Sequence, residues 1–174
     1  MYFGTNLTFD PSMIELLLAL TTGACLLSVS GEIGTNPGLL YDTLFTRKRV
    51  PRVTVIQMCP SLFLRWSTDE IKSVLLKEHL KILALGGEQF PGIIKNFERA
   101  ESLRLFNLYG VTEVSCWASM CEVRGDRDVT LGTVLDDTVF EVRNECGDEI
   151  GEGFGELYVG KRLSFVEIRF IFTH

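Results

Sequence analysis

Three short apolar runs, residues 53–58, 81–85 and 102–106, alternate with helix-patterned segments, and that alternation leaves the chain few folds to choose from. The first run holds Val53, Thr54, Val55 and Ile56, branched side chains that suit a pleated, half-buried surface. Strands joined through helices of about ten residues need crossover connections, and crossovers make neighbouring strands parallel. Helices are expected over 13–20, 39–45, 61–66, 69–76 and 91–100. Asp10 can cap the first and Pro11 suits its first turn; alternatively Ser12 and Glu15 form a capping box, and Thr22-Gly23 ends the element. Residues 24–29 read as another buried strand and 30–38 as a turn-rich loop. The last third changes character: 138–143 and 156–160 read as strands around a Cys146-Gly147-Asp148 turn. The expectation is therefore an α/β fold. A largely parallel sheet with crossover helices occupies 1–125, an antiparallel β appendage 126–160, and a divergent tail 161–174.

At 174 residues the chain suits one domain, able to bury roughly 70% of its extended-chain surface. A net charge of −6 without a basic block argues against nucleic-acid and anionic-membrane partners. The five cysteines (Cys25, Cys59, Cys116, Cys121, Cys146) are widely spaced and form no zinc set with the two histidines. They read as reduced thiols of a cytoplasmic protein. The apolar run 13–29 is interrupted by Glu15, Thr21, Thr22 and Gly23 and falls short of a membrane span. A buried helix turning into a strand is expected there.

Chemistry concentrates after the third strand, in Asn107-Leu108-Tyr109-Gly110-Val111-Thr112-Glu113. An amide, a phenol, a glycine, a hydroxyl and a carboxylate follow one another on what reads as a tight turn. That inventory suits a nucleotide held with a divalent metal. The Tyr109 ring can lie against a purine, Gly110 admits close backbone approach, Thr112 can bond a phosphate, and Glu113 can hold Mg²⁺. The competing reading makes Thr112 a helix N-cap, Glu113 a partner of the helix dipole and Tyr109 a core residue.

The segment resembles the N-x-Y-G-x-T-E signature of the adenylate-forming superfamily: acyl-CoA synthetases, nonribosomal peptide adenylation domains and luciferases. Three other segments match in the order the family requires. Ala84-Leu85-Gly86-Gly87-Glu88 is similar to a turn bordering adenine and acyl pocket, or else an ordinary strand-to-helix turn. Phe9-Asp10-Pro11-Ser12 resembles the F-D-x-S of amino-acid-activating members, whose aspartate pairs with the substrate ammonium. Gly155 to Gly160 resembles G-E-L-x-[IV]-x-G, after Gly132-Thr133-Val134 and Val139-Phe140-Glu141-Val142.

What the resemblance implies is an ATP-dependent acid–thiol ligase. It activates an amino-acid-like carboxylate with ATP and Mg²⁺ and passes the acyl group to a phosphopantetheine thiol, on a carrier domain of the parent protein. Thr112 would touch phosphate and Glu113 the metal. Gly86, Gly87, Glu88, Asn107, Tyr109 and Gly110 would border the nucleotide, and Asp10, Leu108, Cys116 and Trp117 the acid, with Pro11, Ile14 and Ala84 nearby. Such a site stabilises the charge that builds on the transferring phosphate by metal and oriented hydrogen bonds, and needs no histidine base.

Departures accompany the matches. Residues 1–7 hold nothing like the family's Ser/Thr/Gly-rich phosphate loop, and Y-x-T-G-D and the catalytic lysine of the C-terminal domain have no counterpart in these 174 residues. The expectation is a central fragment with negligible activity of its own. The alternative from a different class is a catalytically inactive interaction protein on the same scaffold.

Overall fold

A computed structural model describes residues 1–161 other than Ser115 and Asp126, with the backbone of 164–165 and 170–171. The expected divergent tail therefore lies mostly outside the described residues. Among the described residues there are six α-helices: α1 (Pro11–Thr22), α2 (Gly31–Thr35), α3 (Pro37–Phe45), α4 (Pro60–Phe63), α5 (Thr68–Leu75) and α6 (Gly92–Lys95). The first sheet has the order β1 (Val55–Met58), β2 (Ile82–Gly86), β3 (Arg104–Tyr109), β4 (Ser119–Glu122), β5 (Thr133–Val134). Crossovers through α4–α5 and α6 make β1, β2 and β3 parallel, as expected, whereas β4 and β5 are antiparallel. The second sheet pairs β6 (Thr138–Arg143) with β7 (Glu156–Lys161) antiparallel, the expected appendage. Two short strands, β8 (Ser164–Phe165) and β9 (Phe170–Ile171), add to β7.

The main core lies between the first sheet and its helices. Ile56, Leu83, Leu85 and Leu105 from the strands meet Phe63, Val74, Leu75 and Ile94 from the helices, all fully buried. The rings of Tyr41, Phe45 and Phe63 surround Trp66, whose indole donates to the Pro37 carbonyl. A smaller core holds Val114, Ala118, Leu157 and Val159, with Tyr109 and Phe140 packed on it. It fastens the appendage to the loop that follows β3.

Several local expectations give way. Residues 24–29 form no strand: only Leu27 bridges, to Tyr2, because the N-terminal residues take its hydrogen bonds. Within 30–38 the short helix α2 forms, and Asn36 caps α3 by accepting from the Leu39 amide. The helix expected over 91–100 is only Gly92–Lys95. Helix α5 starts earlier than expected, through a capping box between Ser67 and Glu70.

In α1 neither capping device forms. Asp10 sits in helical conformation with no capping bond, and Ser12 and Glu15 are buried instead. The helix is inverted relative to its composition. It turns Ser12, Glu15 and Ala19 inward and leaves Met13, Leu17, Leu18 and Leu20 exposed, next to exposed Leu7 and Phe9. Exposed apolar surface thus concentrates on this helix, with Met120 of β4 also exposed, while the edge strand β1 is mostly buried. Among the described residues no helix is long and apolar enough to cross a membrane, and none of the cysteines is in a disulfide.

Candidate active site

Parallel pairing aligns the carboxyl ends of β2 and β3, with Leu85 opposite Asn107 and Gly86 opposite Leu108. Ligands of open α/β sheets bind beyond such strand ends. A cleft of about 930 Å³ opens here, within the usual size of ligand sites. Its lining includes Asp10 and Pro11 from the start of α1, Gln57 from β1, and Gly86 and Gly87 at and just after the end of β2. Gly110, Thr112, Cys116 and Trp117 come from the loop after β3.

That loop is a folded-back hairpin. Asn107, Leu108 and Tyr109 belong to β3 itself, so the heptapeptide is half strand rather than one tight turn. Thr112–Val114 then form a single 3-10 turn, not the N-terminus of an α-helix, and β4 returns beside β3. The Ala118 amide donates to the Tyr109 carbonyl at 2.7 Å. Val114, nearly fully buried against Leu157 and Val159, anchors the turn and leaves Thr112 and Glu113 exposed.

Two glycines are required by contact rather than by backbone angle. A Cβ on Gly110 would stand 1.7 Å from the Cys116 carbonyl oxygen, and one on Gly86 2.6 Å from Cη2 of Trp117. The indole therefore lies directly on Gly86. Gly87 has a φ of 85°, a region that glycine alone enters freely.

Other anticipated residues sit elsewhere. The Glu88 carboxylate accepts from the amide and hydroxyl of Ser61, tying the glycine turn to α4. Asn107 and Tyr109 face the opposite side of β3 from Leu108, as strand alternation requires. Asn107 donates to the Thr130 carbonyl, and the Tyr109 ring packs edge-on against Phe140 with centroids 6.0 Å apart. None of Ala84, Glu88, Asn107, Leu108, Tyr109 and Glu113 lines the cleft, and neither does Ile14. Burial raises the Tyr109 phenol above its ordinary range.

The residues that sequence reasoning missed are Glu15 and Gln57. Glu15 is fully buried, and burial pushes its carboxyl above the ordinary range despite bonds from Thr5, Gln57 and Gly4. Gln57, 5% exposed, donates to Glu15 and to the Pro11 carbonyl, and accepts from the Trp117 indole at 3.0 Å. A charged residue inside an otherwise apolar helix pattern was the available signal for Glu15; nothing in the run around Gln57 distinguishes it.

Cys116 adopts a φ of 82°, unusual for a side chain with a Cβ, and is buried. Burial first, then the neighbouring Asp10 and Glu15 carboxylates, push its thiol up to about 12. It therefore stays protonated at pH 8, and a thiol reacts only as thiolate. Brief labelling of the native chain with iodoacetamide, mapped by mass, should modify exposed Cys25 and Cys146 and spare Cys116. Equal labelling of Cys116 would contradict the burial seen here.

The chain matches the AMP-binding enzyme family over residues 1–165. It belongs to that family. The beta-alanine-activating enzyme of Mus musculus is 39% identical over 183 residues, covering 96% of this chain and 16% of that protein. Its Homo sapiens counterpart is 38% identical over 176 residues, covering 93% and 16%. The chain thus spans about one sixth of the length of these relatives. Among solved structures, a four-domain nonribosomal peptide synthetase, holo-AB3403 bound to AMP and glycine, superimposes with a TM-score of 0.73 at 27% identity. The match covers 95% of this chain and 12% of that one. IdnL1, with a TM-score of 0.74 at 21% identity over 92% of this chain and 33% of that one, shares the fold.

Proposed function

We propose that this chain supplies the acid-and-phosphate cleft of a ligase that adenylates an amino-acid-like carboxylate, beta-alanine foremost, with ATP and Mg²⁺. The same parent passes the acyl group to a phosphopantetheine thiol on a carrier domain, in the cytoplasm. The observation that carries this reading is the convergence of Asp10, Gly86, Gly110, Thr112 and Trp117 on one cleft at the ends of parallel strands. Asp10 is half-buried at the rim of α1, where a carboxylate can pair with a substrate ammonium. The likeness to beta-alanine-activating enzymes and to a glycine- and AMP-bound synthetase supports the same substrate class.

The residues present suit magnesium in the manner typical of nucleotide enzymes, which use one or two carboxylates together with substrate phosphates. Among the described residues there is no cluster of three or more metal-ligating side chains. Exposed Glu113 would hold the ion beside phosphate oxygens bonded by Thr112, and the ion would neutralise charge building on the transferring phosphate. The acid itself is the nucleophile, so the protein need only bring two anions together. Gly86 and Gly87 would let backbone approach the nucleotide. A purine contact for Tyr109 and Asn107 requires the base to lie along their side of the β2–β3 ends, away from Trp117.

Nucleotide titration tests the reading. ATP should bind the purified chain only with Mg²⁺, and Glu113→Ala should weaken that binding by about 10–100-fold. Pyrophosphate exchange with beta-alanine should stay at background, because a lysine aimed at developing charge is typically worth at least about 10² in rate. Metal-independent binding, or none, would favour the interaction-protein reading. That reading draws on the exposed apolar side chains of Leu7, Phe9, Leu17 and Leu20.

A further inference from the structure

One buried carboxylate joins two stretches of the cleft lining that are far apart in sequence. Glu15 Oε2 accepts from the Gly4 and Thr5 amides at 3.2 and 3.3 Å. Its Oε1 accepts from the Thr5 hydroxyl at 2.5 Å and from Gln57 Nε2 at 3.2 Å. Every group on the carboxylate is a donor. Gln57 Nε2 also donates to the Pro11 carbonyl at 3.0 Å, and a carbonyl, like a carboxylate, only accepts. The amide of Gln57 therefore has one permitted orientation, with Nε2 toward α1 and Oε1 toward Trp117. Oε1 then accepts the Trp117 indole proton at 3.0 Å, and the indole is held against Gly86.

We propose that Glu15 is the positioning residue of this cleft: it orients Gln57, through Gln57 it fixes the Trp117 ring over Gly86, and it pins residues 4–5 of the same lining. This deepens the ligase reading and rests on it only for the statement that the acid substrate occupies the space that Trp117 bounds. The Glu15→Gln change keeps the shape but turns one of the two oxygens into a donor. Either the Gly4–Thr5 amides or the Thr5–Gln57 pair then meets a donor, and the Gln57 amide is held only by the Pro11 carbonyl and the Trp117 indole, without the carboxylate that braces it.

The two tryptophans allow a test without nucleotide or acid. Trp66 donates its indole proton to Pro37 in the main core and serves as an internal control for folding. In ¹⁵N spectra of the intact chain, Glu15→Gln should raise hydrogen exchange at the Trp117 indole by about tenfold and leave Trp66 within roughly twofold. Gln57→Leu, which removes the acceptor itself, should give the same pattern and serves if Glu15→Gln does not fold. Unchanged Trp117 exchange in either folded variant overturns the proposal. Equal acceleration of both indoles also overturns it, since that is the mark of a carboxylate that only stabilises the fold. Because the readout contains no ligand, failure of the ATP titration leaves this result interpretable, and the reverse holds.

Discussion

Replacing Gly110 by alanine is expected to destabilise the chain by about 3 kcal/mol or more and to displace Trp117. The added Cβ meets the Cys116 carbonyl oxygen at 1.7 Å and the Trp117 Cα at 2.6 Å. Both are backbone atoms, so no rotamer change relieves the overlap. The loop between β3 and β4 must open, at the cost of the Ala118–Tyr109 hydrogen bond and the pairing of Tyr109 with Ser119. A loss of that size lowers the melting temperature by roughly 6–12 °C in a domain of this length. Gly92→Ala is the control. It adds a methyl in a helix with nothing within 4 Å and should be neutral or stabilising by up to about 1 kcal/mol. Circular-dichroism melts of both variants decide the matter, and equal midpoints would show that the loop is not packed as described.

Phe63→Ala is expected to cost about 3–5 kcal/mol, the usual range for emptying an aromatic site in a close-packed core. Phe63 is fully buried in α4, and its ring meets Trp66 at 5.2 Å in an edge-on contact. Trp66 in turn holds Tyr41 and Phe45, so the cavity would loosen α3 together with α4. The same helix carries Ser61, whose bonds to Glu88 fix the Gly86-Gly87 turn. Stability therefore transmits to the cleft. Total stabilities are about 5–15 kcal/mol, so this single change should consume a large part of the whole. Urea unfolding should show the midpoint fall with little change in slope. A loss under about 1 kcal/mol would mean that the site collapses around the missing ring.

What these residues determined alone was the framework. Branched strand runs separated by helix patterns sufficed for the parallel order of β1, β2 and β3, because a crossover admits that pairing. The glycines and turn residues near 147 sufficed for the antiparallel hairpin. Asp10, Gly86, Gly110 and Thr112, grouped beforehand by the motifs they resemble, all line one cleft, because those motifs are short segments legible in the chain itself. Tertiary structure decided what lay across sequence distance. The inward turn of α1 onto Glu15 contradicts its apolar composition. It becomes favourable only because Thr5, Gly4 and Gln57 arrive to satisfy the carboxylate. The face of β3 to which Tyr109 turns was fixed by pairing with β4 and by Phe140, some thirty residues further on. Hydrophobic periodicity records how much apolar surface a segment carries, whereas a buried polar group is placed by partners that no local pattern contains.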